Sequence, residues 1–283
     1  MPQVRCYEPG LRRKTGILRI WITMLKNIFL SRDLIIQLFK RDFLAAYKKS
    51  FLDVGWIIIM PLISIVSWVF MNAAGILKPG DVGIPYPAYV LLGSSIWSFF
   101  MGCYSFSAKT LDAGKGFILQ VSFPHEALLI KQCAQNLANF SLTFIFTIIA
   151  LWCFGIVPSV GIIFFPLMLV PIFFLGAGIG LVISVMAVLA TEIDRMVEML
   201  LGLIIFITPV IYSSRIDNVL LQKVIKWNPL TYLVCGARDM IIYGKMEFPN
   251  RFFYSALFAF FVFMFSWRLF FLSEEKVIEK ITI

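Results

Sequence analysis

From Gln132 to Thr191 the chain runs for sixty consecutive residues without one charged side chain. No soluble domain of ordinary composition hides that length, whereas a bilayer core of about 30 Å takes roughly 20 apolar residues per helical crossing. The run therefore has room for two crossings and a turn. Gly155, Pro158 and Gly161 punctuate it where the turn belongs. The expectation is an all-α integral membrane protein.

Composition points the same way: of 283 residues, 60% are hydrophobic and 14% charged, against about 25% charged in a typical globular chain. The net charge of +9 would suit a nucleic-acid partner, but 11 of the 25 Lys/Arg fall within residues 1–53, ahead of the first long apolar run. That distribution is a cytoplasmic flank under the positive-inside rule, and nucleic acid is excluded. Five scattered cysteines without a CxxC pair and a single histidine, His125, give no disulfide framework and no metal site. Arg12, Arg13, Lys14, Arg19 and Lys26 interrupt any signal-peptide core, so no cleavable leader is expected.

Six spans are expected, at about 54–76, 87–106, 127–154, 162–190, 197–213 and 252–272, within a transmembrane domain over 54–272. Residues 1–53 precede it as a cytoplasmic amphipathic region, and 273–283 follow as a cytoplasmic tail. In the first region Ile17, Trp21, Met24, Leu25, Ile28 and Phe29 share one helical face, the period of a helix lying in the membrane interface. Ser31 is expected to cap a second amphipathic stretch. Residues 219–227 and 230–243 are too short to cross and form a re-entrant pair over 216–246. Asn228 and Pro229 open the second helix of that pair, because proline is favoured in a first turn. Six spans put both termini in the cytoplasm. Inner segments then carry 11, 2, 1 and 2 Lys/Arg against 1, 0 and 5 outside.

No enzyme chemistry is visible, since no nucleophile–base pair or acid dyad stands in a plausible site. Ion-coupled transporters keep ionisable groups at mid-membrane depth, and the third and fourth spans have none. The chain also lacks GxxxxGK[ST], and the fragment Ala113, Gly114, Lys115, Gly116 has the wrong spacing to wrap phosphates. A nucleotide-driven mechanism must take its ATPase from another chain.

Several landmarks, in order, resemble a known family. They are Arg41, Asp42, Tyr47 to Leu52, Gly55, Trp56, Pro61 and Leu62; Leu92, Gly93 and Trp97; Val121 to Glu126; Asp194 and Arg195; Thr208 to Tyr212; and Trp227 to Thr231 with Arg238 and Gly244. Over residues 31–250 the set resembles ABC-2 type permeases that export polysaccharides. The family often carries an Arg-Asp pair after the fourth span, where this chain reads Glu192, Ile193, Asp194, Arg195.

The resemblance implies a transport subunit in the bacterial cytoplasmic (inner) membrane. Two copies would form a pore as a homodimer and dock on two copies of a nucleotide-binding subunit, which uses ATP and magnesium. This chain itself would hold no cofactor. The implied substrate is a lipid-linked polysaccharide, O antigen first, with teichoic acid or capsule as alternatives in the same family. Efflux of a small amphiphile or drug, and a non-transporting membrane scaffold, are the rivals.

Individual residues carry two readings each. Gln132, Gln135, Asn136, Asn139 and Thr143 lie on one helical face, either as a hydrated surface for sugar hydroxyls or as interhelical glue. Trp56, Trp68, Phe70, Phe206 and Tyr212 lie on the first and fifth spans, which the resemblance implies line the pore; the other reading is lipid-facing packing or an interfacial aromatic belt. Gly176, Gly178 and Gly180 are read as a packing face. Pro209 is expected to bend the fifth span, and Arg238 with Asp239 to form an ion pair at the outer surface. By resemblance Asn228, Pro229, Arg238 and Asp239 are outer-gate candidates. Lys109, Asp112, Lys115, Glu192, Asp194 and Arg195 are candidates for docking the ATPase.

Overall fold

The computed structural model describes residues 17–49, 51–112, 125–188, 190, 192–214 and 219–282. All regular elements among them are helical. In chain order they are α1 (Ile17–Leu30), α2 (Arg32–Lys49), α3 (Phe51–Ala73), α4 (Tyr86–Ala108), α5 (His125–Cys153), a 3-10 turn (Val160–Phe164), α6 (Phe165–Ala187) and α7 (Glu192–Ile204). A second 3-10 turn (Ile205–Ile207), α8 (Val219–Trp227), α9 (Pro229–Tyr243) and α10 (Pro249–Thr282) complete the chain.

Among the described residues, four stretches are long and apolar enough to cross a membrane: Tyr86–Ala108, Glu126–Cys153, Val160–Ala187 and Pro249–Ser273. The charge-free run folds as expected, as α5 and α6 joined by a turn at Gly155. α6 is the centre of the bundle, packed along its length against α4 on one flank and α10 on the other. Glycine makes that proximity possible. A Cβ at Gly176 would stand 2.8 Å from the Phe100 carbonyl oxygen, and one at Gly180 only 2.4 Å from that of Tyr104, both on α4. Gly178, between them, faces the backbone of Phe263 on α10. These residues are a packing face, and it serves two neighbours.

Two expectations need correction. The fifth apolar segment is not one helix over 197–213: α7 starts at Glu192, tightens to 3-10 at Ile205 and ends at Ile207. Pro209 thus lies beyond the helix rather than within it, because a proline ring clashes with the preceding turn and helices end before it. The last helix continues through the expected tail to Thr282. α1, expected in the membrane interface, buries Ile20, Met24 and Asn27, packs Ile20 and Met24 with Trp267 and Phe271 of α10, and leaves Leu25 and Phe29 of its apolar face exposed.

α9 begins as the sequence indicates. Asn228 caps it by accepting from the Leu230 N–H at 3.0 Å, with Pro229 in the first turn. It ends on Gly244 at φ +68°, a left-handed conformation that favours glycine.

Candidate functional site

The two ends of α4 organise two different sites. At its Tyr86 end lies the unwound segment Thr208 to Ser213, buried throughout. Buried backbone without helical partners must find others. Here side chains from separate elements supply them. Tyr86 donates to the Ile211 carbonyl at 3.1 Å and Tyr89 to that of Tyr212 at 2.7 Å. Arg238 of α9 donates to the Pro209 carbonyl at 3.1 Å. Asn228 donates to the Ile207 carbonyl at 3.2 Å and to the Thr208 hydroxyl at 2.8 Å. The Ser213 N–H donates to the Pro79 carbonyl at 2.7 Å. Gly93 admits the segment, since a Cβ there would meet the Val210 carbonyl oxygen at 2.4 Å.

Arg238 is therefore not half of a surface ion pair with Asp239. It is 4% exposed, and its guanidinium carbon stands 3.9 Å from the Tyr89 ring centroid. Asp239 accepts instead from the Glu247 N–H at 3.5 Å. The sequence signals Asn228, Pro229 and Arg238, and the structure brings all three to this break. It misses Tyr86 and Tyr89, whose signal is their spacing of three on the helix facing a proline-ended segment with carbonyls to satisfy.

At the Ala108 end a cavity of about 440 Å³ is lined by Lys109 and Asp112 beside Asp194, Arg195 and Glu198 of α7. Four of the six docking candidates thus share one site. Glu192 is exposed outside it, and Lys115 lies outside the described residues. Tyr104 donates to the Asp194 carboxylate at 2.9 Å, and Lys109 pairs with Glu198 at 3.3 Å. The sequence alone does not single out Tyr104 and Glu198, because both face the loop residues from helical positions inside apolar stretches. Close by, Asp42 of α2 pairs with Lys131 of α5 and with Arg41. Burial raises the Asp42 pKa, but hydrogen bonds and charge from Arg41 and Lys131 outweigh it, leaving the carboxyl below its usual range.

Of the amide face, Gln132, Gln135 and Asn136 are buried, and Asn139 and Thr143 half-buried. Asn136 donates to the Cys103 sulfur at 3.1 Å and lies against Gly102, so it holds α5 to α4. Among the aromatic candidates, Trp68 of α3 meets Phe206 edge-on at 6.2 Å, and Phe70 is exposed. Tyr212 is buried and donates to the Phe206 carbonyl at 2.9 Å. The side chain of Trp56 lies outside the described residues. No cluster that could hold a metal occurs among the described residues.

The ABC-2 type transporter family model matches residues 33–242. The chain belongs to that family. Its relatives include the O-antigen export system permease protein RfbA of Klebsiella pneumoniae, 22% identical over 229 residues, covering 80% of this chain and 87% of the relative. The protein of the same name from Myxococcus xanthus is 23% identical over 216 residues, covering 75% and 82%. This chain is thus a membrane-embedded ABC-2 permease homologous to O-antigen export permeases. The matched range contains both ends of α4 and most of what packs against them.

Proposed function

We propose that this permease is the transmembrane subunit of an ATP-driven exporter of a lipid-linked polysaccharide, O antigen in the first instance. The observation that carries the reading is the match to O-antigen export permeases over four-fifths of the chain. In this reading the bundle crosses the cytoplasmic membrane six times, through α3, α4, α5, α6, α7 and α10. α1 and α2 lie in the cytoplasmic interface, and α8 and α9 re-enter from the outer side without crossing. Both termini are cytoplasmic.

Two copies form the conduit and meet two nucleotide-binding subunits, which hold ATP and magnesium. The cavity at the Ala108 end, with Lys109, Asp112, Asp194 and Arg195, is the docking face for those subunits. The adjoining apolar faces of α3 and α7, with Trp68, Phe70 and Phe206, line the route, where rings stack on sugar faces. The unwound segment behind Arg238 is the outer gate. The amides on α5 support the reading less, because Asn136 is engaged in packing.

Deleting the gene tests the substrate. Surface polysaccharide should vanish while its lipid-linked form accumulates inside, and plasmid-borne wild type should restore it. Unchanged surface glycan with increased sensitivity to small amphiphiles would favour efflux instead. Loss of teichoic acid or capsule alone would move the substrate within the family.

A further inference from the structure

At the Tyr86 end, a cavity of about 480 Å³ opens between α8, α9 and the start of α10. Its wall carries two cations, Lys226 and Arg251, against one carboxylate, Glu247, and neither cation joins an ion pair among the described residues. Arg251 is held in place before any ligand arrives. Its Nη1 donates to the Tyr232 hydroxyl at 2.6 Å, and its guanidinium carbon lies 5.4 Å and 5.7 Å from the Tyr232 and Phe248 ring centroids. Tyr232 in turn donates to the Lys226 carbonyl at 3.0 Å. A neutral group lines the same cavity: Thr231 is 3% exposed, and its hydroxyl has no hydrogen-bond partner among the described residues. A buried hydroxyl left so is costly, and an acceptor from outside the chain would satisfy it.

Along α10 from this cavity runs a surface of opposite character. Arg251 shares a helical face with Tyr254, Phe258, Phe261 and Phe265, at offsets of 3, 7, 10 and 14. The last three line an apolar groove of about 460 Å³ whose other wall is Ile179, Val182 and Ile183 of α6. Fourteen helical residues rise about 21 Å, close to half of a ~30 Å core plus its headgroup layer. Cations at one end and an apolar groove that ends about one leaflet's depth from them match one class of molecule.

We propose that this face of α10 binds an anionic glycerophospholipid, its phosphate between Lys226 and Arg251 and accepting from Thr231, and an acyl chain along the groove. A neutral sugar would leave the groove empty. A zwitterionic headgroup would bring its own cation beside the two already present, which outnumber the single carboxylate Glu247. Which leaflet supplies the lipid rests on the topology proposed above; the site itself does not.

Purified protein in neutral detergent can be titrated with phosphatidylglycerol, phosphatidylcholine or glycerol phosphate, reading the melting temperature and lipid retention in native mass spectra. Phosphatidylglycerol should be retained and should raise the melting temperature, while phosphatidylcholine and glycerol phosphate at the same concentration should do neither. Lys226→Gln should weaken phosphatidylglycerol about tenfold, as should Arg251→Gln. Phe261→Ala should weaken it without restoring any preference for glycerol phosphate. The Lys226 side chain joins no ion pair among the described residues, so its variant decides the question even where loss of the Tyr232 contact unfolds Arg251→Gln. Equal retention of phosphatidylcholine, undiminished phosphatidylglycerol in Lys226→Gln, or exclusive retention of a polyprenyl phosphate would overturn the assignment.

Discussion

Arg238 supplies from a side chain what the backbone gives up at Pro209. Its planar fork donates to one carbonyl while its face lies on Tyr89, and an ammonium has neither feature. Arg238→Met should therefore lower stability by about 1–3 kcal/mol, the cost of a buried acceptor left without a partner. Arg238→Lys should recover little of it, and thermal unfolding in detergent measures both. Asp42 makes a second prediction. Its carboxyl is held below its usual pKa by Arg41 and Lys131 despite burial, so the charged form is favoured in the folded state. The stability it contributes is present above the ordinary value of 3.8 and is lost as pH falls through the lowered one. Asp42→Asn should cost about 1–2 kcal/mol at pH 7, and the gap from wild type should close in strongly acidic buffer. Neither partner of these two residues is legible in the sequence. Arg238 and Asp239 are adjacent in the chain, but Arg238 turns to the Pro209 carbonyl and Asp239 to the Glu247 N–H. Lys131 sits some ninety residues from Asp42, at a distance that only the fold closes.

Helices are legible where length alone decides. α4, α5, α6 and the α8–α9 pair lie within a few residues of their expected bounds, because apolar runs and the Asn228-Pro229 start act locally. α7 is not, because its end depends on whether donors exist for the carbonyls after Ile207, and those donors come from α4 and α9. The glycines of α6 allow a sharp test. Gly180→Leu drives a side chain into the Tyr104 carbonyl, where even a Cβ would be 2.4 Å away. Overpacking of this kind costs about 1–3 kcal/mol or more, so a smaller monodisperse fraction is expected on size-exclusion chromatography. Gly202 of α7 meets nothing within 4 Å. Gly202→Ala should raise the melting temperature slightly, by about 0.5–1 kcal/mol of helix propensity.

At the scale of the molecule, membrane class follows from charge-free length, but the cavity at the Ala108 end does not. Lys109 and Asp112 follow α4, and Asp194 and Arg195 lie in the first turn of α7, some eighty residues further on. In the sequence their grouping rests on family resemblance alone; the cavity at the Ala108 end gives it a physical basis. The way α6 is held also limits how the permease can work. Its glycines meet α4 and α10 backbone to backbone, so α6 cannot turn about its axis or slip by a residue without collision. Those three helices must travel as one rigid piece. Any widening of the molecule is then left to elements outside this trio, and among them α7 is tied beyond Ile207 to α4 and α9 through Tyr86, Tyr89 and Arg238.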